Sequence, residues 1–331
     1  MRTGRRALGV GACIALAAGA VALRLAVVRV PGEGWVLGWP GEPIAGFRTG
    51  AAMTAAAAGA ALGVSGAILQ GVLRNPLASP FVLGVTSGAG AGVAVAALLA
   101  AIAGAAAPAG PALAWPATIG ALAALAASLT LARRHGTVDP TTLVLGGVIV
   151  GAVSAAITTV AEAMLPPERR GLLMGWMFGR VPEMPDPSAL RACTIAALAL
   201  TGLGCWWGRA LDAASMSDDE ARSVGVNLGL VRGVLLAACG IATATTVVLC
   251  GPIAFVGLLA PHLARGLVGA THRALVPASA ATGCALLVGA DALRQWIDVG
   301  TGRLPLGALT AALGGVAFLI LLRRTAGAWG H

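Results

Sequence analysis

The sequence predicts an all-α integral membrane protein of about ten transmembrane helices, built as a single transmembrane domain over residues 1–331. Three observations carry that prediction. Hydrophobic residues make up 58% of the chain and charged residues 11%, against roughly 25% charged in a soluble domain, so the polar surface needed to hold a fold in water is missing. Mean hydropathy is +0.88. The apolar residues gather into runs close to the ~20 residues that cross a hydrocarbon core as a helix.

Ten such runs lie near 7–28, 49–72, 82–105, 114–132, 141–163, 189–208, 230–250, 253–269, 275–296 and 305–323. The first opens on Arg2, Arg5 and Arg6 and contains small residues, a pattern shared with cleaved signal peptides. Its apolar stretch continues to about Leu25 and further spans follow, which favours a first membrane helix. The second run ends in Arg74-Asn75-Pro76, with Pro80 soon after, and the two prolines interrupt helical hydrogen bonding before the third run begins. Throughout 59–92, Gly and Ser flank that break, the composition that lets helix backbones approach closely in lipid. The fourth run closes on Arg133–Arg134 and the fifth at Glu162, which either lines a pathway mouth or lies at the interface. The sixth ends at Trp206 and Trp207 beside Arg209, an interfacial belt. Gly251-Pro252-Ile253-Ala254 follows the seventh run as Asn75-Pro76-Leu77-Ala78 follows the second, a faint echo of the inverted repeats common in transporters.

Charge sorts the ends of these runs. The net charge is +9 and all 22 basic residues are Arg. They sit at run ends rather than along one stripe, which is the positive-inside pattern and not a nucleic-acid surface. It places both termini in the cytoplasm of a cell-membrane protein. Connection 164–188, on the expected external side, mixes Glu168, Arg169, Arg170, Arg180, Glu183 and Asp186, and its Arg169–Arg170 pair runs against the rule. The absence of Lys removes a P-loop, which needs Lys to reach nucleotide phosphates. A nucleotide-hydrolysing site or a Schiff-base enzyme is therefore not expected in this chain, and neither is a cofactor of its own. The six cysteines lack CxxC spacing and read as small buried hydrophobes.

Connection 209–229 is the one dense in acids. Ser217 before Asp218, Asp219 and Glu220 reads as an N-cap with acids in the first turn, and Gly225 as the C′ stop. The resulting short helix is either a capped connector or a docking element for a soluble partner. Asp291 and Arg294 lie three apart near the outer end of the ninth run; they either satisfy one another or mark a functional intramembrane charge. His262 and Arg265 follow Pro261, with His272 and Arg273 beyond; lacking clustered acid or Cys ligands, they read as polar anchors at the membrane surface rather than a metal site. Gly63-Val64-Ser65-Gly66-Ala67 misses the GxSxG nucleophile pattern at its last position, which argues against a serine hydrolase.

Four stretches share a further property. GAALGVSGAILQGVLRNPLASPFVLGVTSGA over 59–89, MSDDEARSVGV over 216–226, GPIAFVGLLAPHLARGLVGATHRALVPASA over 251–280, and Ala290-Asp291 with Leu304-Pro305-Leu306-Gly307 resemble, in order and at similar separations, the FecCD-type permeases. These are the membrane subunits of ABC importers for iron–siderophore complexes, haem and cobalamin. The resemblance implies a type II importer permease fold with an inverted repeat, like that of the cobalamin importer. It also implies a homodimer, a cytoplasmic ATPase dimer, an external substrate-binding protein and an iron chelate as substrate. Ser217, Asp218, Asp219, Glu220, Ala221, Arg222 and Gly225 would then form the coupling helix, while Asn75, Pro76, Gly251, Pro252, Pro261, His262 and Asp291 belong to shared structural motifs. Where the family shows RLPR, this chain has Arg48-Thr49-Gly50-Ala51; docking of the binding protein would fall to Arg48, with Arg294, Arg303 or the Arg169–Arg170 pair in support. The rival reading, an ion-coupled secondary carrier, expects a free acid within a span.

Overall fold

The computed structural model describes residues 2–30, 34–39, 41, 44–134, 137–297 and 304–326. Among these the helices run α1 (Arg2–Ala26), α2 (Ile44–Val72), α3 (Val85–Ile102), α4 (Ala114–Ala132), α5 (Pro140–Met164), α6 (Pro167–Met177), α7 (Pro187–Trp206), α8 (Gly208–Ala214), α9 (Asp218–Ser223), α10 (Leu228–Cys250), α11 (Val256–Val268), α12 (His272–Trp296) and α13 (Leu306–Ala326). Ten of them stand on the ten apolar runs. Eight are long and apolar enough to cross a membrane, and α11 and the apolar part of α13 are shorter. The protein is thus an all-α integral membrane fold. The short helices α6, α8 and α9 lie between spans. Two small antiparallel hairpins complete the inventory: β1 (Val27–Val30) with β2 (Gly34–Leu37), and β3 (Arg133–Arg134) with β4 (Thr137–Val138).

α2 is the axis of the bundle. Its apolar window is 78% buried, compared with 17% for α1 and 28% for α4 and α5; the latter keep broad faces for lipid or a neighbour. The small residues of 59–92 explain how α2 is enclosed. A Cβ on Gly59 would lie 2.3 Å from the Gly283 carbonyl oxygen of α12, and one on Gly63 would lie 2.1 Å from that of Ser279. Gly66 meets α11 in the same way, its missing Cβ falling 1.7 Å from the Gly257 oxygen. Backbones touch there, and no other residue type fits without moving a helix.

The proline-broken stretch is a tight connection between α2 and α3. The Asn75 N–H donates to the Gln70 carbonyl at 3.2 Å and the Arg74 N–H to that of Gly71 at 3.3 Å, the paired bonds of a Schellman stop. Arg74 takes the left-handed position, with φ 49°, where glycine is usual. Asn75 Oδ1 then accepts the Leu77 N–H at 2.9 Å. A 3-10 turn over Pro80–Leu83 leads to Gly84, at φ 71°, and into α3.

Asp291 is fully buried. Its Oδ1 accepts from Arg294 Nη2 and its Oδ2 from Arg24 Nε of α1, both at 2.7 Å. The i, i+3 pairing expected from sequence is present, and Arg24 makes it a triad. This corrects one expectation: Arg294 is 6% exposed and held by Asp291, so it has no free face for an external protein.

Candidate functional site

The acidic connection forms the helix expected of it. Ser217 is extended at the N-cap; its Oγ accepts the Glu220 N–H at 3.0 Å and donates to Glu220 Oε2 at 2.8 Å. This closed ring satisfies an orphan donor of the first turn, worth about 1 kcal/mol. At the other end, the Val226 N–H donates to Ala221 and the Gly225 N–H to Arg222, with Gly225 at φ 80°, a second Schellman stop. One turn and a half is thereby fixed at both ends.

α9 is also seated. Ala221 is fully buried and packs with Ala214 of α8 and Leu228 of α10, while Val226 closes the side. From sequence this helix has no apolar bed of its own. The small residue at Ala221 lets it lie directly on α8 and α10.

The stronger tie is electrostatic. Asp218 Oδ1 accepts from Arg232 Nη2 at 2.7 Å and its Oδ2 from Arg232 Nη1 at 3.1 Å, a fork-on-fork pairing of the kind that adds directionality to charge. Arg74 Nη2 donates to the same Oδ1. Arg74 also donates through Nε to the Ala214 carbonyl at 2.8 Å. The hydrogen bonds from Arg232 first, then Arg74, hold the Asp218 carboxyl down at about 2 from an ordinary 3.8. The Arg232 side chain is only 3% exposed, so Asp218 is the counter-charge of a buried cation. Through one carboxylate, α9 is tied to the end of α2 and the first turns of α10.

The outward side of α9 is left open. Asp219 is 97% exposed and meets Arg222 only at 3.9 Å, too loose to remove either from solvent. Glu220, Ser223 and Gly225 are exposed, as are the apolar Met216 and Val224. An acidic, basic and apolar set is therefore presented on a short rigid mount.

Neighbouring contacts brace the mount. Asp212 of α8 accepts the His272 backbone N–H at 2.9 Å and lies 2.7 Å from His272 Nδ1, capping α12 from outside. Gln70 Nε2 donates to Leu258 O at 3.3 Å and Arg265 Nη2 to Gln70 Oε1 at 3.2 Å, linking α2 to α11. Pro261 is buried in α11 and His262 beside it is half-exposed.

At the opposite end of the bundle, Arg48 Nη1 donates to the Leu25 carbonyl of α1 at 2.9 Å, so its first role is to cap α1. Arg303 lies outside the described residues. Gly251, at φ 71°, ends α10, and the Pro252 carbonyl is in contact range of both Gly179 and Gly307. The sequence reading does not single out Arg24, Arg232 or Asp212, nor the tie that Arg74 makes to Asp218 beyond ending the second run. Arg24 carried a usable signal, since a lone charge inside an apolar run requires a partner.

The model of the FecCD transport family matches residues 8–324. The Fe(3+) dicitrate transport system permease protein FecD of Escherichia coli (strain K12) is 34% identical over 208 residues, 62% of this chain and 63% of the relative. The hemin transport system permease protein HmuU of Yersinia pestis is 34% identical over 63% of this chain and 61% of its own. The vitamin B12 import system permease protein BtuC of Klebsiella pneumoniae is 34% identical over 66% and 64%. The matches thus span less than two thirds of these relatives' length. Among solved structures, a metal-chelate type ABC transporter in an inward-facing conformation superposes with a TM-score of 0.82 at 24% identity, covering 96% of this chain and 99% of the other. PsaBC from Streptococcus pneumoniae superposes with a TM-score of 0.55 at 17% identity, over 83% and 90%. These two likenesses concern the fold.

Proposed function

Because the chain belongs to the FecCD transport family, we propose that it is the membrane permease subunit of an ABC importer, with ATP hydrolysis carried out by a separate cytoplasmic subunit. The single observation that carries this reading is the mount of α9: a doubly capped helix, tied by Asp218 to Arg74 and Arg232, with its charged side turned away from the bundle. A solvent-facing helix fixed to two spans suits the transfer of a push from a soluble partner. In this reading the α9 end faces the cytoplasm and an ATPase dimer, and a second copy of the chain completes the pathway. An external binding protein meets the other end, where Arg48 and the Arg169–Arg170 pair lie.

The proposed cargo is an iron chelate, ferric siderophores first. Haem and cobalamin are the competing cargoes, since relatives named for ferric dicitrate, hemin and vitamin B12 match at the same 34% identity. A secondary carrier would use a free acid within a span, and Asp291 does not serve, as both its oxygens are taken by guanidinium groups.

The test is reconstitution with the partner ATPase and binding protein. Glu220→Arg, at an exposed position of α9, is expected to abolish ligand-stimulated ATP hydrolysis while leaving the bundle folded, and deletion of 217–224, which also strips the buried Arg232 of its counter-charge, is expected to lose both coupling and stability. Uptake that continues with no ATPase present overturns the reading. Uptake measured in parallel with a ferric siderophore, haem and cobalamin assigns the cargo.

A further inference from the structure

Arg169 and Arg170 break the positive-inside pattern, and internal contacts account for only one of them. Arg170 is engaged within the chain, its Nε and Nη2 donating to the Leu165 and Ala163 carbonyls at the end of α5, at 2.8 and 2.9 Å. Arg169 donates through Nη2 to the Ala105 carbonyl at 2.7 Å, but its Nη1, itself buried, meets no acceptor among the described residues. Arg169 lines a cavity of about 280 Å³ between α6, the end of α3 and the segment before α4.

A second arginine, Arg180, lines the same cavity. The Arg180 backbone N–H donates to the Cys250 carbonyl at 2.7 Å, while its side chain is exposed and makes no hydrogen bond or ion pair among the described residues. The remaining walls are apolar or small, with Trp176, Leu173, Leu113 and Val93 among them, and no carboxylate is present among the described residues. In the smaller cavity next to it, which shares Trp176 and Arg180, the acid is Asp186. Its carboxylate is already engaged by the Ser188 hydroxyl and the Ala189 N–H.

Two arginines therefore line one largely apolar recess that carries no carboxylate among its described lining residues. Like charges so placed repel one another at a cost that falls when an anion enters, and guanidinium forks match oxyanions bidentately. The volume corresponds to roughly nine waters at ~30 Å³ each, enough for a carboxylate or phosphate group with part of its carrier. We infer that this recess is an oxyanion site in which Arg169 and Arg180 bind a carboxylate or phosphate group. That chemistry belongs equally to a free anion and to an anionic lipid headgroup. The site stands independently of the direction or cargo of transport.

The experiment uses the full-length protein and the variant Arg180→Gln, which removes no hydrogen bond or ion pair among the described residues and is expected to keep the fold. Arg191→Gln, on α7 and lining neither cavity, controls for loss of charge. Protein in non-ionic detergent free of anionic lipid is titrated calorimetrically with citrate and with inorganic phosphate. Its melting is also compared in phosphatidylglycerol and phosphatidylcholine nanodiscs. Saturable citrate or phosphate binding, weakened about tenfold in Arg180→Gln as expected for one charge-assisted contact and unchanged in Arg191→Gln, supports a free anion. A phosphatidylglycerol-specific rise in melting temperature that only Arg180→Gln loses supports a lipid headgroup. No response to any probe, or an equal response in wild type and Arg180→Gln, overturns the site.

Discussion

Replacing Arg74 with glycine separates two roles that the residue combines. As a helix stop, Arg74 sits at φ 49°, a conformation costing a side-chain-bearing residue roughly 1–2 kcal/mol that glycine does not bear. As a tie, it contributes the bond to the Ala214 carbonyl, about 1 kcal/mol. It also contributes the pair with Asp218, whose two side chains are 31% and 38% exposed, so solvent screening keeps that pair within about 0–1 kcal/mol. Gain and loss nearly cancel, and Arg74→Gly is expected to unfold within about 1 kcal/mol of the wild type. Arg74→Ala keeps the strain and loses the ties, and should be the less stable of the two by about 1 kcal/mol. Function should follow the opposite logic. In proteoliposomes containing the ATPase and binding protein, Arg74→Gly should lose most ligand stimulation of ATP hydrolysis and show a several-fold lower uptake per ATP, with near-native melting in detergent. A glycine variant that couples as well as wild type would show that Arg74 only ends α2, and the mechanical role assigned to it would be wrong.

Other outcomes follow from the same geometry. The folded-state value of Asp218 is depressed to about 2 from 3.8, so its stabilisation is complete above pH ~4 and is lost as pH falls toward 2; acid melting profiles of Asp218→Asn should lack that component. Gly63→Val puts a Cβ only 2.1 Å from the Ser279 carbonyl oxygen and should separate α2 from α12, costing about 3 kcal/mol or more in detergent unfolding. Asp291→Asn leaves Arg24 and Arg294 buried without a counter-charge, an expected loss of about 3–5 kcal/mol, and adding Arg24→Met should restore part of it. Ser217→Ala removes the cap of α9 and should cost about 1 kcal/mol, read as faster amide exchange confined to the first turn of α9.

The ten apolar helices, eight of them long enough to cross a membrane, are legible because each depends on a local property, a sustained run of apolar residues, that later packing does not revise. The ends of α9 were legible for the same reason, since Ser217 and Gly225 act within a few residues of themselves. The Asp291–Arg294 pair is one helical turn. What bound α9 to the bundle was not legible, because Arg74 and Asp218 are 144 residues apart and meet only once α2 and α10 have packed. Arg24 and Asp291, 267 residues apart, are the same case. This shifts the weight of the 59–92 stretch. Its break at Arg74 reads from sequence as a turn and nothing more, with coupling left to the acidic connection; in the folded chain the two share a carboxylate. α6 and the two hairpins are not legible because elements this short have too few residues to show a period.

The contact between α2 and α12 has a consequence for motion. Side-chain interfaces can shear because rotamers exchange as helices slide, but glycine has no χ angles, and at Gly59, Gly63 and Gly283 the surfaces that meet are peptide planes. Such a joint has no rotamers to exchange and no room to tighten. The two helices should behave as a keel, keeping a constant spin-label separation through every state of a working cycle. The same kind of contact joins α3 to α4 at Gly88, Gly92 and Gly120, so displacement would then move those two helices as one body.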